Sequence, residues 1–319
     1  MPTIRRLLIP TLALVVIGVL GPGQVTGAVA GGPPGGGPEL FPNSFFDHSV
    51  ANQPVAANSS TLVANMVRQY KTHYGSIGVN RMPIFTVPAA QPTVSIAVES
   101  GCYSVLPNTG TEIPIPSGAY NSRTSDDFMI VTRPATGDDW ELWRATDASG
   151  RWSACWGGRL NQVSSTGVYP APFGMSASGI SYLATTITEA DVASGQIHHA
   201  IAMQVVDCNG SVAPADRTDC GSSTGAPSEG TWFRLPAGTP MPAGLTPLAR
   251  MVFSALQTYG AVVVDHAGAV MIEAENSRDW AFEGNAGIDP ITLAFAGEPQ
   301  YEVLDGIPWG QLQVIDPPA

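Results

Sequence analysis

Tryptophan and carboxylate side chains are concentrated in one short stretch of the chain, and their spacing suggests carbohydrate chemistry. Residues 138–144 are DDWELWR, and residues 151–157, after a turn, are RWSACWG. If these segments form a hairpin, alternation puts one acid beside one indole, with two indoles on the facing strand. These residues are Glu141, Trp143, Trp152 and Trp156. Indole rings stack on sugars, and paired carboxyl groups cleave glycosidic bonds. The structural alternative is that the indoles fill a core and Glu141 is solvated.

Two further polar residues flank a neighbouring strand candidate, residues 128–133. Asp126 lies just before this strand and is the candidate second carboxyl group of a glycosidase pair. Arg133 ends the strand and is a candidate for binding a substrate hydroxyl or carboxylate. The alternatives are an Asx turn for Asp126 and a simple ion pair for Arg133.

His199 is the third candidate catalytic residue, as a general base or as a group that orients the substrate. It lies in residues 197–206, which we predict to be one strand, with His198 on the opposite face. The alternative is a buried histidine whose ring nitrogens make structural hydrogen bonds.

Two other motifs partly match the patterns of known families. Glu273 and Glu275 alternate on a strand and resemble the acids of laminarinase-type glycosidases, E-x-D-x-x-E, but Arg278 occupies the third acid position. We therefore expect both glutamates on a solvated sheet face. Residues 174–179, GMSASG, nearly match the G-x-S-x-G elbow of serine hydrolases, but the required strand-to-helix context is missing.

The N-terminus has the three parts of a cleavable signal peptide. Arg5 and Arg6 precede an apolar run over 7–20, and Ala28-Val-Ala30 has the small-residue cleavage pattern. The apolar run is shorter than the roughly 20 residues of a membrane span. We therefore predict a secreted protein that has no membrane attachment after cleavage, with Sec export favoured over the twin-arginine route.

The charge balance restricts the class of partner. Removal of residues 1–30 takes away two arginines and no acid, which changes the net charge from −12 to −14. Nucleic acids and anionic surfaces attract clustered Lys and Arg, which this chain lacks. We expect no nucleic-acid partner and a neutral extracellular glycan as the ligand.

Four cysteines remain in the mature chain, an even number that favours two disulfides in an exported protein. Three pairings are possible, and the loop from Cys208 to Cys220, which is rich in Gly, Ser, Asp and Pro taken together, favours Cys208–Cys220 with Cys102–Cys155. Their spacing does not match a zinc motif, so we expect no metal and no cofactor.

Turn residues and short strand candidates dominate the chain, whose 319 residues include 35 glycines and 28 prolines. Residues 31–39 form a Gly/Pro-rich flexible leader, and residues 40–319 are expected to form a single β-rich domain. Helices are predicted from Ser59 to near Gly75 and from Thr246 to Gly260, with one short turn at 188–195. The predicted fold is a two-sheet antiparallel β-sandwich, jelly-roll-like, with two or three peripheral helices.

Several short motifs are similar to those of a group of secreted actinobacterial β-rich proteins. The resemblance covers most of the mature chain and runs through residues 140–143, 156–158, 195–200, 217–219, 229–230 and 259–260. It implies one exported domain and supplies no activity or catalytic residues.

These observations together predict a secreted carbohydrate-active enzyme, a glycoside hydrolase acting on an extracellular polysaccharide. Glu141 and Asp126 are its candidate carboxyl groups, and Trp143, Trp152, Trp156 and Arg133 its candidate substrate-binding residues. One alternative is a polysaccharide lyase, in which a His or Tyr base acts beside a uronate. The other is a non-catalytic glycan-binding or cell-wall-binding protein that uses the same tryptophans.

Overall fold

The computed structural model describes residues 41–73, 75–99, 101–102 and 112–316. The predicted signal peptide (1–30) and leader (31–39) lie outside the described residues. Within the described residues, no helix is long and apolar enough to cross a membrane.

Short strands outnumber helices, as the turn-rich sequence predicts. The strands are β1 (Ser76–Met82), β2 (Ile84–Thr86), β3 (Val94–Val98), β4 (Glu112–Ile113), β5 (Met129–Arg133), β6 (Asp138–Trp143), β7 (Thr146–Asp147), β8 (Trp152–Ala154), β9 (Trp156–Asn161), β10 (Ile201–Val205), β11 (Trp232–Arg234), β12 (Ala261–His266), β13 (Met271–Glu275) and β14 (Gln313–Ile315). The helices are α1 (Ser59–His73), α2 (Glu189–Ser194), α3 (Pro247–Thr258), α4 (Asp279–Phe282) and α5 (Pro290–Leu293), with a 3₁₀ turn at Trp309–Gln311.

The largest sheet has six strands in the order β1-β13-β10-β12-β11-β14. Its pairings are mixed, because β1 is parallel to β13 and β10 is parallel to β12. The predicted antiparallel two-sheet sandwich is therefore confirmed only in part: the fold is mainly β, but its sheets are mixed and a sandwich is not confirmed. Parallel neighbours need long crossover connections, and the segment between β10 and β12, which contains α3, is long enough to supply one.

The other strands form two four-stranded sheets, β2-β5-β6-β9 and β4-β3-β8-β7. The predicted neighbour relation of β5 and β6 is confirmed, with Ile130 opposite Glu141. The predicted tryptophan hairpin is confirmed only in part, since β6 pairs with β9 and Trp143 lies opposite Trp156. Trp152 lies in β8, whose parallel partner is β3 in the other sheet.

The buried apolar side chains form three clusters, and strand alternation assigns them to opposite faces of the sheets. Met203 and Val263 of the large sheet pack with α1 and α3, whereas Ala202 and Val262 belong to a second cluster. Ile130 of β5 joins that second cluster, so the large sheet and the β5 sheet share it. Met129 and Val131 face the third cluster, with Trp152 and Ala154 of β8.

The three predicted helical segments are present. Thr246 caps α3 by accepting a hydrogen bond from the Ala249 N–H, with Pro247 in the first turn. Thr188 and Asp191 form the capping box of α2, which ends at Gly195 in the left-handed conformation.

Both disulfides of the favoured pairing are present, Cys102–Cys155 and Cys208–Cys220. Two disulfides indicate an oxidising, extracellular environment. The second one closes a loop that contributes to the site described next.

Candidate functional site

A cavity of about 650 Å³ lies where the ends of β1, β6, β9 and β12 meet two long loops. Its volume falls within the range of small-molecule sites, about 300–1,000 Å³. We call it the acidic cavity. It is lined by Arg81, Ser125, Asp126, Phe128, Trp143, Trp156, Pro172, Met175, Ser176, Ala177, Arg217, Thr218, Asp219, Asp265, His266, Ala267 and Gly268.

Two half-buried indoles form one wall of the acidic cavity. Trp143 ends β6 and lies opposite Trp156, which begins β9. The Trp156 Nε1–H donates to the Pro172 carbonyl at 3.1 Å. Gly158 allows this loop to come close, because a Cβ there would lie 2.5 Å from the Tyr169 ring. The strand pair therefore presents two aromatic side chains to one cavity.

Asp126 lies beside these indoles and is held from both sides. Its Oδ1 accepts a hydrogen bond from the Trp143 Nε1–H at 3.3 Å, and its Oδ2 pairs with Arg81 at 3.1 Å. The same guanidinium binds Glu273 Oε1 at 3.1 Å. Arg81 is thus committed to two carboxylates, and its charge is compensated within the protein.

Asp265 and His266, the last two residues of β12, form the opposite wall. Asp265 Oδ2 accepts hydrogen bonds from the Tyr182 hydroxyl at 3.1 Å and from the Ala177 N–H at 3.4 Å. Burial, assisted by the nearby Asp219, raises the pKa of Asp265 to about 6. The His266 Nδ1 lies 3.0 Å from Asp219 Oδ1.

Arg217 lies in the loop closed by Cys208–Cys220 and binds backbone rather than acids. Its guanidinium donates to the carbonyls of Phe173, Gly174, Ser176 and Ala177. Burial lowers the pKa of Arg217. The lining therefore contains three aspartates and two arginines, and one of these arginines, Arg81, is paired with Asp126.

The structure does not place the three predicted catalytic residues in one cavity. Asp126 lines the acidic cavity, but Glu141 is fully buried in the middle of β6. Glu141 Oε1 accepts hydrogen bonds from the Ser181 hydroxyl at 2.7 Å and the Leu183 N–H at 2.9 Å. Burial raises its pKa to about 7. These contacts connect β6 to the 181–183 loop.

His199 precedes β10 instead of lying within a strand, and it makes structural contacts. Its Nε2 lies 3.3 Å from Asp191 Oδ2, and its Nδ1 is 2.9 Å from the Ala200 carbonyl. Burial lowers the His199 pKa, but the hydrogen bond and charge of Asp191 outweigh it, so the net shift is upward. This geometry matches the alternative of a hydrogen-bonded histidine.

Of the four predicted substrate-binding residues, two reach the acidic cavity. Trp143 and Trp156 line it, whereas Trp152 is buried in the third apolar cluster. Arg133 pairs with Asp138 at 3.4 Å and packs over the Trp140 ring, which matches the ion-pair alternative.

The expectation of a solvated face for Glu273 and Glu275 was wrong, since both are buried. Glu273 pairs with Arg81, and burial raises its pKa to about 7. Glu275 accepts a hydrogen bond from the Glu189 N–H at 2.8 Å. Both faces of β13 are covered, so strand alternation alone did not distinguish a wet face from a packed one.

Sequence reasoning missed Arg81, Asp219, Asp265 and His266. Arg217, Asp219 and Glu229 lie within motifs of the resemblance, but no spacing rule connects them to Asp265. The available signal was the consecutive Asp265 and His266 at the end of a strand, because functional groups often occupy strand ends and loops.

A second, larger cavity of about 1,000 Å³ lies between α2, α3 and the 280–294 region. Its wall is mainly apolar and includes Met251, Trp280, Ile288 and Leu293. Ile288 and Leu293 are more than 60% exposed. Its lining contains no Asp or Glu and shares no residue with the lining of the acidic cavity.

Comparison with known proteins gave no match: no protein-family model, no curated protein and no solved structure aligns significantly with this chain. The function proposed below is therefore inferred from the geometry of the acidic cavity.

Proposed function

We propose that the protein is secreted and binds a neutral extracellular glycan, with a sugar unit held in the acidic cavity. The observation that carries this proposal is the Trp143–Trp156 pair beside the Asp126 carboxylate. Indole faces stack on the C–H faces of sugars, while a carboxylate accepts hydrogen bonds from sugar hydroxyls. Apolar surface with a few convergent polar groups is the usual composition of a ligand site.

The charges of the cavity favour a neutral ligand over a uronate-containing polymer. A uronate carboxylate bound by the protein's side chains alone needs an available cation, but Arg81 pairs with Asp126 and Glu273. Arg217 donates to backbone carbonyls. The lyase alternative is therefore the less favoured of the enzymatic hypotheses.

Hydrolysis is the second candidate function, and the specific support is that two carboxyl groups with different surroundings face one cavity. Asp126 pairs with a guanidinium, whereas Asp265 accepts hydrogen bonds from neutral donors, Tyr182 and Ala177. Glycosidases use such unequal carboxyl pairs, one as acid and the other as base or nucleophile. In this form of the hypothesis Asp265 takes the place that the sequence suggested for Glu141.

One experiment tests both functions. The mature protein is titrated with soluble β-glucan, xylan, arabinogalactan and starch by calorimetry, and released reducing sugar is measured in parallel. We expect Trp143→Ala and Trp156→Ala to weaken binding tenfold or more, which corresponds to about 1.4 kcal/mol.

Trp280→Ala is the matched control, because Trp280 is also half-buried but lines the other cavity. Binding without released sugar supports the binding function, and product lost in both Asp126→Asn and Asp265→Asn supports hydrolysis. Equal losses in Trp280→Ala and Trp143→Ala, or no binding to any of these glycans, contradict the proposal.

A further inference from the structure

Four potential metal ligands converge at the acidic wall of the cavity. Asp219, Glu229, Asp265 and His266 each contribute one ligand atom, and these atoms lie within 4.8 Å of one another. The four residues come from three separate segments. Asp219 lies in the loop closed by Cys208–Cys220, Glu229 precedes β11, and Asp265 and His266 end β12.

Glu229 provides an independent observation, because its side chain is fully buried. No described residue makes a hydrogen bond of normal geometry to either of its oxygens. Thr218 and Asp219 lie beside it, and Asp265 is a further nearby acid. A buried carboxylate without a partner is costly, and a fold retains one when something else satisfies it.

The backbone holds Glu229 firmly in this position. Its N–H donates to the Gly210 carbonyl at 3.0 Å, and its carbonyl accepts from the Val212 N–H at 2.8 Å. Gly230 follows with φ of 85°, and a Cβ there would lie 1.8 Å from the Val212 carbonyl oxygen. A side chain at position 230 would not fit, so the turn fixes the direction of Glu229.

We propose that Asp219, Glu229, Asp265 and His266 form a binding site for one divalent first-row transition metal ion. Three carboxylates carry a charge that a dication compensates, which removes the repulsion among neighbouring acids. Ca²⁺ and Mg²⁺ prefer oxygen ligands throughout, whereas an imidazole nitrogen favours a transition ion. Mn²⁺ and Zn²⁺ are the ions that accept this mixture of carboxylates and imidazole.

The cluster is open on the cavity side, so an ion has a path to it. The side chains of Asp219 and His266 are 54% and 44% exposed, whereas that of Asp265 is 14% exposed. Asp219, Asp265 and His266 also line the acidic cavity. A bound ion therefore borders the proposed sugar space. Because it uses the Asp265 carboxylate as a ligand, Asp265 is not free to act as a catalytic carboxyl group, which favours glycan binding over two-carboxyl hydrolysis.

The test measures metal binding in the absence of any sugar, so that it can fail separately from the proposed function. The intact mature protein is treated with EDTA, dialysed and titrated by calorimetry with MnCl₂, ZnCl₂ and CaCl₂. We expect one Mn²⁺ or Zn²⁺ per chain, with Ca²⁺ at least tenfold weaker. Bound Mn²⁺ is detected independently, as loss of the electron paramagnetic resonance signal of the free ion.

Two variants remove ligands, and each has a matched control. We expect Glu229→Gln and His266→Ala each to weaken Mn²⁺ binding at least tenfold. Glu141→Gln changes another fully buried glutamate, and His48→Ala changes another exposed histidine, so both should bind Mn²⁺ like the wild type. If Glu229→Gln does not fold by circular dichroism, the exposed His266 carries the test.

The proposal is overturned if neither Mn²⁺ nor Zn²⁺ binds stoichiometrically at millimolar concentration, if Ca²⁺ binds as tightly as both, or if His266→Ala binds like the wild type. Trp143→Ala should still bind Mn²⁺. Metal binding that survives while glycan binding fails in every protein rejects the proposed function and keeps the metal site.

Discussion

At the scale of single residues, Glu141 shows how environment changes the meaning of a carboxylate. Strand alternation predicted Glu141 and Trp143 on one face of a strand. Both residues do lie in β6, and Trp143 reaches the acidic cavity. Glu141 itself is enclosed and accepts hydrogen bonds from Ser181 and Leu183. Its geometry is that of a link between a strand and a loop, and its predicted catalytic role stays a prediction.

We expect Glu141→Ala to lower the free energy of unfolding by about 2 kcal/mol, because buried donors lose a charged acceptor. Glu141→Gln keeps an acceptor oxygen and should cost less. Urea denaturation measures both, and glycan binding by folded Glu141→Gln should equal that of the wild type. If this variant folds normally but loses binding or product formation, Glu141 acts in function and the structural assignment is wrong.

At the scale of elements, the Cys208–Cys220 loop is the segment that most directly connects fold to site. It carries Arg217, which binds the 173–177 loop, and Asp219, which contacts His266. The other disulfide, Cys102–Cys155, has no residue in the proposed metal cluster. The two bridges should therefore differ in their effect on function.

We expect removal of the 208–220 bridge, as Cys208→Ala with Cys220→Ala, to cost about 3 kcal/mol by the chain-entropy account. It should also weaken Mn²⁺ binding, because Asp219 loses its anchor. The 102–155 bridge closes a longer loop than the 208–220 bridge does. Its removal should cost about 4 kcal/mol by the same account, yet leave Mn²⁺ affinity unchanged. Urea midpoints and calorimetry measure the two effects. Equal loss of affinity in both pairs would contradict this separation.

At the scale of the whole molecule, the described residues include nine buried Asp and Glu side chains. Outside the proposed metal cluster, burial raises the pKa of four of them to about 7 or 8. These residues are Glu141, Glu189, Glu273 and Asp279. In the unfolded chain the same groups release their protons near pH 4. Between these limits the native state binds more protons than the unfolded state does.

We therefore expect stability to fall as the pH rises from 5 to 8, since stability falls wherever the native state holds extra protons. The raised pKa of His199 acts in the same direction, because its favourable contact with Asp191 is lost as the imidazole deprotonates. Below about pH 4 the lowered pKa values of Asp138 and Asp191 act in the opposite direction, because these carboxylates protonate more readily in the unfolded chain than in the native state. Urea midpoints in EDTA at pH 5, 6.5 and 8 measure the trend.

Glu141→Gln removes one of the titrating groups and should make the decline between pH 5 and 8 shallower. A midpoint that rises with pH over this range would contradict the expectation. The measurement includes EDTA because an ion bound to the acidic wall would stabilise the native state by mass action.

Local patterns in the sequence determined the features that depend on neighbouring residues. The capping residues Thr188 and Thr246 located two helices, and the loop composition between Cys208 and Cys220 favoured the observed disulfide pairing. Trp143 lines a cavity, as strand alternation and its residue type suggested. The frequent glycines and prolines between short apolar segments correctly indicated that strands predominate. These features depend on hydrogen bonds and torsion angles over a few residues, which the sequence expresses directly.

Tertiary structure decided which strands are neighbours and which acids meet. Arg81 of β1 contacts Asp126 in the loop before β5, and Asp219, Glu229 and Asp265 converge from three segments. Such contacts depend on long crossover connections that leave no periodic signal in a single sequence. A buried carboxylate such as Glu229 also looks like a solvated one, because composition cannot show whether a polar residue is enclosed. The cavity's tryptophan wall was therefore predictable, and its acidic wall was not.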